Sequence, residues 1–167
     1  MPVSDQGVNE DRYMLIPRTL IFITRGESVL LLKGALHKRI WANKYNGVGG
    51  HVERGEDVLS AARRELLEET GLIADTLWLC GFVTVDAGKN IGIGLYVIKG
   101  TCPEGTLSRS EEGELEWVPF SEVLEKNLVE DLPILLPRVM VQSPGDAPFS
   151  AHYQYTRQGK LEVSFGY

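Results

Sequence analysis

Long apolar runs are missing from this chain. Nothing approaches the roughly 18 consecutive apolar residues that a membrane-spanning helix needs, so no membrane span is expected. Cysteine is scarce: Cys80 and Cys102 are the only two, and neither lies in a CxxC pattern or near a pair of histidines. That excludes a zinc cage and a thioredoxin-type redox site. Both sit in or beside apolar runs and are expected to be reduced and buried. Basic residues are outnumbered, with 17 Lys and Arg against 23 Asp and Glu and a net charge of −6. Nucleic acid is therefore not an expected partner, since its binders usually present a basic face. A phosphate ligand would need divalent cations to bridge it to so acidic a surface. Repeats and low-complexity segments are absent. Residues 1–13 are polar and lack the apolar core of a signal peptide; they are expected to form a flexible arm on a cytoplasmic protein.

The remainder, residues 14–167, has the length of one domain with one sizeable core. Apolar runs at Leu15–Thr24 and Val29–Lys33, split by a turn at Arg25–Ser28, predict a β-hairpin. Further strands are predicted at Leu77–Asp86, Ile91–Ile98 and Glu114–Pro119, and a final hairpin at Ala151–Thr156 and Leu161–Phe165. Ala35–Gly50 reads as an irregular loop with a glycine-rich end. Helices are predicted over Asp57–Thr70, briefly from about Ser121, and over Leu132–Val141, where Pro133 suits a first turn. Pro137 is expected to kink that last helix or end it early. Strands dominate, with two or three helices, which points to an α/β sandwich around a mixed β-sheet.

The most informative stretch is residues 50–72, GHVERGEDVLSAARRELLEETGL. Asp57 is placed to cap the helix, and Gly71 stands where a left-handed residue ends one. At about 100° per residue, Glu65, Glu68 and Glu69 fall at i, i+3 and i+4 and share one face. Leu59, Ala62 and Leu66 form a neighbouring face able to dock on a sheet. Carboxylates so close repel each other on a bare helix, so the patch expects cations. Hard oxygen ligands suit Mg²⁺ or Mn²⁺, which usually retain waters and take substrate phosphates as further ligands. Gly47–Gly50 lets the backbone approach a ligand closely. Arg64 flanks the acidic face, where it is placed to pair with Glu56 or Glu68. An acidic run by itself is more often a solvated helix face, here with Arg64 and Glu68 as an i, i+4 pair; the spacing is what separates the two readings.

That spacing is identical to the signature of the Nudix hydrolase family at every fixed position: Gly50, Glu56, Arg64, Glu65, Leu66, Glu68, Glu69, Gly71 and Leu72. At ordinary residue frequencies such a match arises by chance at on the order of 10⁻⁹ per starting position. The resemblance implies a Nudix α/β/α sandwich and attack by metal-activated water on phosphorus. It implies that Glu68 and Glu69 bind Mg²⁺, or Mn²⁺, and that Glu65 binds metal, acts as base, or does both. It further implies that the Gly50 carbonyl is a ligand and that Glu56 and Arg64 hold the helix in place.

Outside the signature the chain is similar to the MutT-like branch that hydrolyses oxidised purine nucleoside triphosphates such as 8-oxo-dGTP to a monophosphate and pyrophosphate. Tyr45-Asn46-Gly47 resembles a Trp-Asn-Gly whose Asn bonds the base. Ser110-Glu111-Glu112 resembles a loop lending one more metal ligand, with Glu112 favoured. Glu130-Asp131 resembles an acidic pair that reads the purine edge. That branch often places a Trp shortly before the pair; here the residues are Lys126–Val129, so Trp41 or Tyr45 is expected to supply an aromatic face from the other wall. The expected partner is a small nucleotide bound by a monomer or homodimer. ADP-ribose, a dinucleoside polyphosphate or an ordinary nucleoside triphosphate are the alternative substrates. A binding-only domain of this family typically loses signature glutamates, whereas Glu56, Glu65, Glu68 and Glu69 are all present here.

Overall fold

The computed structural model describes every residue except Met1, Val8, Glu10, Lys38, Arg39, Pro103 and Tyr167. Parts of the expected arm and of the loop at 35–50 therefore lie outside the described residues. Within the arm, Val3–Gln6 forms a 3₁₀ turn. Tyr13 at its end donates from Oη to Asp86 Oδ1 at 2.7 Å.

Among the described residues, eight strands form one curled sheet: β1 Met14–Arg25, β2 Ser28–Gly34, β3 Tyr45–Asn46, β4 Thr76–Asp86, β5 Ile91–Thr101, β6 Gly113–Pro119, β7 Phe149–Tyr155 and β8 Leu161–Phe165. Their order is β3-β2-β1-β5-β4-β7-β8, with β6 paired to β2. The sheet is mixed, since β1 runs parallel to β5 and β4 parallel to β7 while the other pairs are antiparallel. Two helices flank it, α1 Val58–Thr70 and α2 Leu132–Val141. This is the expected α/β/α sandwich.

Strand alternation builds the two layers. Successive side chains of a strand point to opposite faces. Leu20 and Phe22 of β1, with Val29 and Leu31 of β2, pack under Leu132, Leu135, Leu136 and Val139 of α2. Ile21 and Ile23, with Leu30, pack instead with Ala62 and Leu66 of α1. A strand covered on both faces reads as an unbroken apolar run, which is why residues 20–23 are Leu-Ile-Phe-Ile.

The first hairpin is present but differs in extent from the sequence expectation. β1 and β2 pair only at Thr24–Val29 and Arg25–Ser28, then diverge. β1 spends its length on β5 and β2 on β6. The edge of β1 that β2 leaves is taken by the glycine loop, through bridges of Ile21 to Val48 and Arg18 to His51. Splaying of this hairpin thus docks the loop beside the middle and last turn of the signature helix, at Glu65 and Glu69.

α2 also departs from expectation, because it continues through Pro137 to Val141. Pro137 lacks the N–H that would reach back to Pro133. Four buried side chains, Leu132, Leu135, Leu136 and Val139, hold the helix on the sheet despite that loss. Lys99 of β5 supports its far end: Nζ donates to the carbonyls of Met140 at 2.7 Å and Gln142 at 2.8 Å. Both cysteines are free and buried, as expected. Among the described residues no helix is long and apolar enough to cross a membrane.

Candidate active site

α1 starts and stops where its caps dictate. Asp57 Oδ1 accepts from the N–H groups of Leu59 at 2.9 Å and Ser60 at 3.0 Å. Gly71, at φ 75°, closes the helix with its N–H on the Leu67 carbonyl. Ala61, Ala62 and Leu66 are buried, which turns the carboxylates away from the core.

Arg64 organises those carboxylates. Its Nη2 and Nε donate to Glu56 at 2.7 and 3.1 Å, and Nη1 donates to Glu65 at 2.9 Å and Glu68 at 3.1 Å. Nη2 also reaches the His51 carbonyl at 3.0 Å. The forked guanidinium thereby ties the loop to the helix, a geometry that lysine does not reproduce. The Arg64 guanidinium, together with the Glu53 N–H, holds the Glu56 carboxyl below its ordinary pKa.

The glycine loop lies against this array. The Gly50 carbonyl accepts a hydrogen bond from the Thr19 N–H at 2.8 Å. A Cβ at Gly50 would stand 2.5 Å from Glu65 Oε1, so only glycine leaves that carboxylate its place. Gly49 has φ 146°, and a Cβ there would stand 2.2 Å from the Thr19 carbonyl oxygen. Its N–H points to Glu69 Oε2 at 3.4 Å.

One cleft of about 760 Å³ runs from this end across the sheet to Asp131, just before α2, and to Tyr153 and Tyr155 of β7. Glu65, Glu69, Gly50 and Glu112 line it together with Asn46, Trp41 and Asp131. Glu68 is exposed on the Arg64 side and does not line the cleft. Among the described residues, no three His, Cys, Asp or Glu side chains form a ready-made metal cage. An array of separated carboxylates beside a backbone carbonyl nevertheless fits Mg²⁺, which relies on waters and substrate phosphates to complete its octahedron.

At the other end, Asn46 Oδ1 accepts the Gly47 N–H at 2.8 Å, so its NH₂ is the edge offered to a ligand. Asp131 and Glu130 part company. Asp131 lines the cleft at the start of α2 without making a capping hydrogen bond, and burial pushes its carboxyl pKa up. Glu130 is exposed and outside the cleft lining. The two aromatic candidates separate as well. Tyr45 is buried, with its hydroxyl on Glu116 Oε2 at 2.6 Å, and belongs to the core. Trp41 is 53% exposed, lines the cleft and has φ 61°, a left-handed conformation that is costly for a bulky residue.

Sequence reasoning missed Arg18, whose Nε donates to His51 Nε2 at 3.1 Å at the acidic end of the cleft. It also missed Tyr153 and Tyr155 on β7. Period-2 alternation along Ala151, Tyr153 and Tyr155 was the available signal, but nothing local indicated that this face meets the cleft.

Comparison with known proteins agrees with this fold. The NUDIX domain profile matches residues 14–139. The oxidized purine nucleoside triphosphate hydrolase of Danio rerio is 35% identical over 111 residues, covering 63% of this chain and 70% of that protein. Its Mus musculus counterpart is 28% identical over 144 residues, covering 86% and 88%. The solved MutT protein of Bacillus halodurans superposes with a TM-score of 0.76 at 27% identity, covering 90% of this chain and 97% of that one. The NUDIX domain of Shewanella oneidensis NrtR, solved with ADP ribose, shares the fold with a TM-score of 0.65 at 14% identity, covering 84% and 97%.

Proposed function

The chain belongs to the NUDIX domain family of hydrolases, and from that premise we propose that it hydrolyses oxidised purine nucleoside triphosphates such as 8-oxo-dGTP to the monophosphate and pyrophosphate. The carrying observation is that one cleft joins the Glu65 and Glu69 carboxylates to the polar groups of Asn46 and Asp131. Its volume, about 760 Å³, suits a single nucleotide, within the roughly 300–1,000 Å³ of small-molecule sites. The names of the Danio rerio and Mus musculus relatives support the same substrate class.

In this reading Mg²⁺, or Mn²⁺ in its place, would be held by the Gly50 carbonyl, Glu65, Glu69 and Glu112, and Glu68 would join them by turning from Arg64 toward the cleft. When bound there, the ion would supply neutralisation of phosphate charge and a lowered pKa for a coordinated water. Arg64 fixes the rotamers of Glu56 and Glu65, and Glu65 accepts the proton of the attacking water. Arg18 adds positive charge beside the phosphates. At the other end Asn46 and Asp131 read the base while Trp41 covers one wall; Glu130 contributes through its charge on Asp131 rather than by contact. The protein acts on free nucleotides in the cytoplasm, as a monomer or homodimer, without nucleic acid.

A substrate panel tests this. Oxidised and ordinary deoxynucleoside triphosphates, ADP-ribose and diadenosine polyphosphates are offered with Mg²⁺ and with Mn²⁺, and products are resolved by ion-exchange chromatography. Expected is highest kcat/KM for an oxidised purine triphosphate with pyrophosphate released. A preference for ADP-ribose, or release of orthophosphate, refutes the proposal.

A further inference from the structure

Tyr153 carries a hydroxyl that the fold itself leaves without work. Its strand, β7, pairs with β4 at Val85 and with β8 at Val163, so the backbone that carries the ring is held from both sides. Only 3% of the residue is exposed, and its ring packs in the core cluster with Leu132 and Leu135. Among the described residues, Oη is one of three buried side-chain polar atoms with no hydrogen-bond partner. The other two, Trp78 Nε1 and Gln142 Oε1, do not line the cleft, whereas Tyr153 does. Buried hydroxyls are ordinarily satisfied, and one left alone destabilises the fold that contains it. A phenylalanine in the same place would fill the ring site without that cost.

The surroundings define what the hydroxyl suits. Val85, Leu95 and Leu161 line the cleft with apolar surface. The charged neighbour that acts on Tyr153 is Asp131. Burial pushes the phenol pKa up, so the group stays protonated at neutral pH and is a donor. An ionised Asp131 only accepts. A donor and an acceptor lining the same cleft match a base edge that pairs a carbonyl oxygen with a ring N–H.

We propose that Tyr153 is a specificity-determining residue whose hydroxyl donates a hydrogen bond to an exocyclic oxygen of an oxopurine base bound in the cleft. This rests on the purine triphosphate reading above. It assigns to that pocket a donor independent of Asn46 and Asp131.

The test is Tyr153→Phe, which removes one oxygen and nothing else. Steady-state kinetics are measured with 8-oxo-dGTP and with the triphosphate of unsubstituted purine deoxyriboside, which has no exocyclic oxygen. Binding of 8-oxo-dGMP without metal is measured by calorimetry, and Tm by circular dichroism. Loss of one buried partner predicts a fall of about 5- to 150-fold in kcat/KM for 8-oxo-dGTP, carried mainly by KM. Affinity for 8-oxo-dGMP falls by the same factor. The unsubstituted purine is hydrolysed equally by both proteins, and Tm is unchanged or raised. An equal fall with both triphosphates, or no fall with either, overturns the assignment. If the unsubstituted protein itself shows no purine preference, the base-pocket reading fails in that protein, before any variant is compared, and this inference fails with it.

Discussion

Arg64 and Glu56 lie eight residues apart and are joined by two hydrogen bonds of 2.7 and 3.1 Å, which fasten the glycine loop to the middle of the acidic helix. The same guanidinium holds Glu65 and Glu68. Arg64→Lys keeps the charge and loses the fork. Supporting partners of a metal site typically contribute about 10- to 100-fold. We expect kcat to fall by that order with circular dichroism unchanged. Full activity in this variant sinks the positioning role.

The carboxylates themselves should matter more. A chelator is expected to abolish turnover, and Glu69→Gln to lower kcat by at least about 10²-fold, the scale for losing a key electrostatic group. Tm should not drop, because a repulsive cluster is relieved. Gly50→Ala should lower kcat too, since its Cβ would meet Glu65 Oε1 at 2.5 Å. A Glu69→Gln enzyme as fast as the parent removes Glu69 from the metal site.

Asp131 and Glu56 should respond to pH in opposite senses. Burial raises the Asp131 carboxyl above its ordinary pKa. Its contribution to stability is therefore full below the ordinary carboxyl value and is lost as pH rises through the raised one. Glu56 is lowered by Arg64, so its contribution is present above the ordinary value and is lost as pH falls through the lowered one. Asp131→Asn is expected to raise Tm at neutral pH and to lose that advantage in acid. Glu56→Gln is expected to lower Tm at neutral pH and to converge with the parent in acid. Parallel Tm–pH curves for either variant and the parent contradict the corresponding assignment.

Lys99, only 9% exposed, anchors the end of α2 through the Met140 and Gln142 carbonyls. A cation there also favours the negative end of the helix dipole. Lys99→Met keeps the apolar stem and leaves the carbonyls unpaired. A loss of about 1–3 kcal/mol is expected, which at roughly 2–4 °C per kcal/mol is a readily measured shift in Tm. Saturating turnover should change little. A Tm equal to the parent's shows that water replaces the amine without cost.

The signature helix was legible in the sequence because its determinants are local. Asp57 and Gly71 cap it by contacts within a few residues, and the 3.6-residue period alone puts Glu65, Glu68 and Glu69 on one face. Strands were legible for the same reason, since alternation and turn residues act over short stretches. What the sequence could not determine depended on which distant segments meet. Asp131 and Glu130 are neighbours in the chain, yet α2 packs so that one carboxyl enters the cleft and the other faces water. Pro137 suggested a broken helix by local rules, but burial of Leu135, Leu136 and Val139 outweighs one missing hydrogen bond. Tyr45 went to the core and Trp41 to the cleft because β3 pairs with β2 and buries the first. Tyr153 reached the cleft only because β7 runs parallel to β4, a pairing that joins segments more than sixty residues apart. Local chemistry thus determined the catalytic signature, while long-range strand pairing and helix docking decided which side chains stand opposite it.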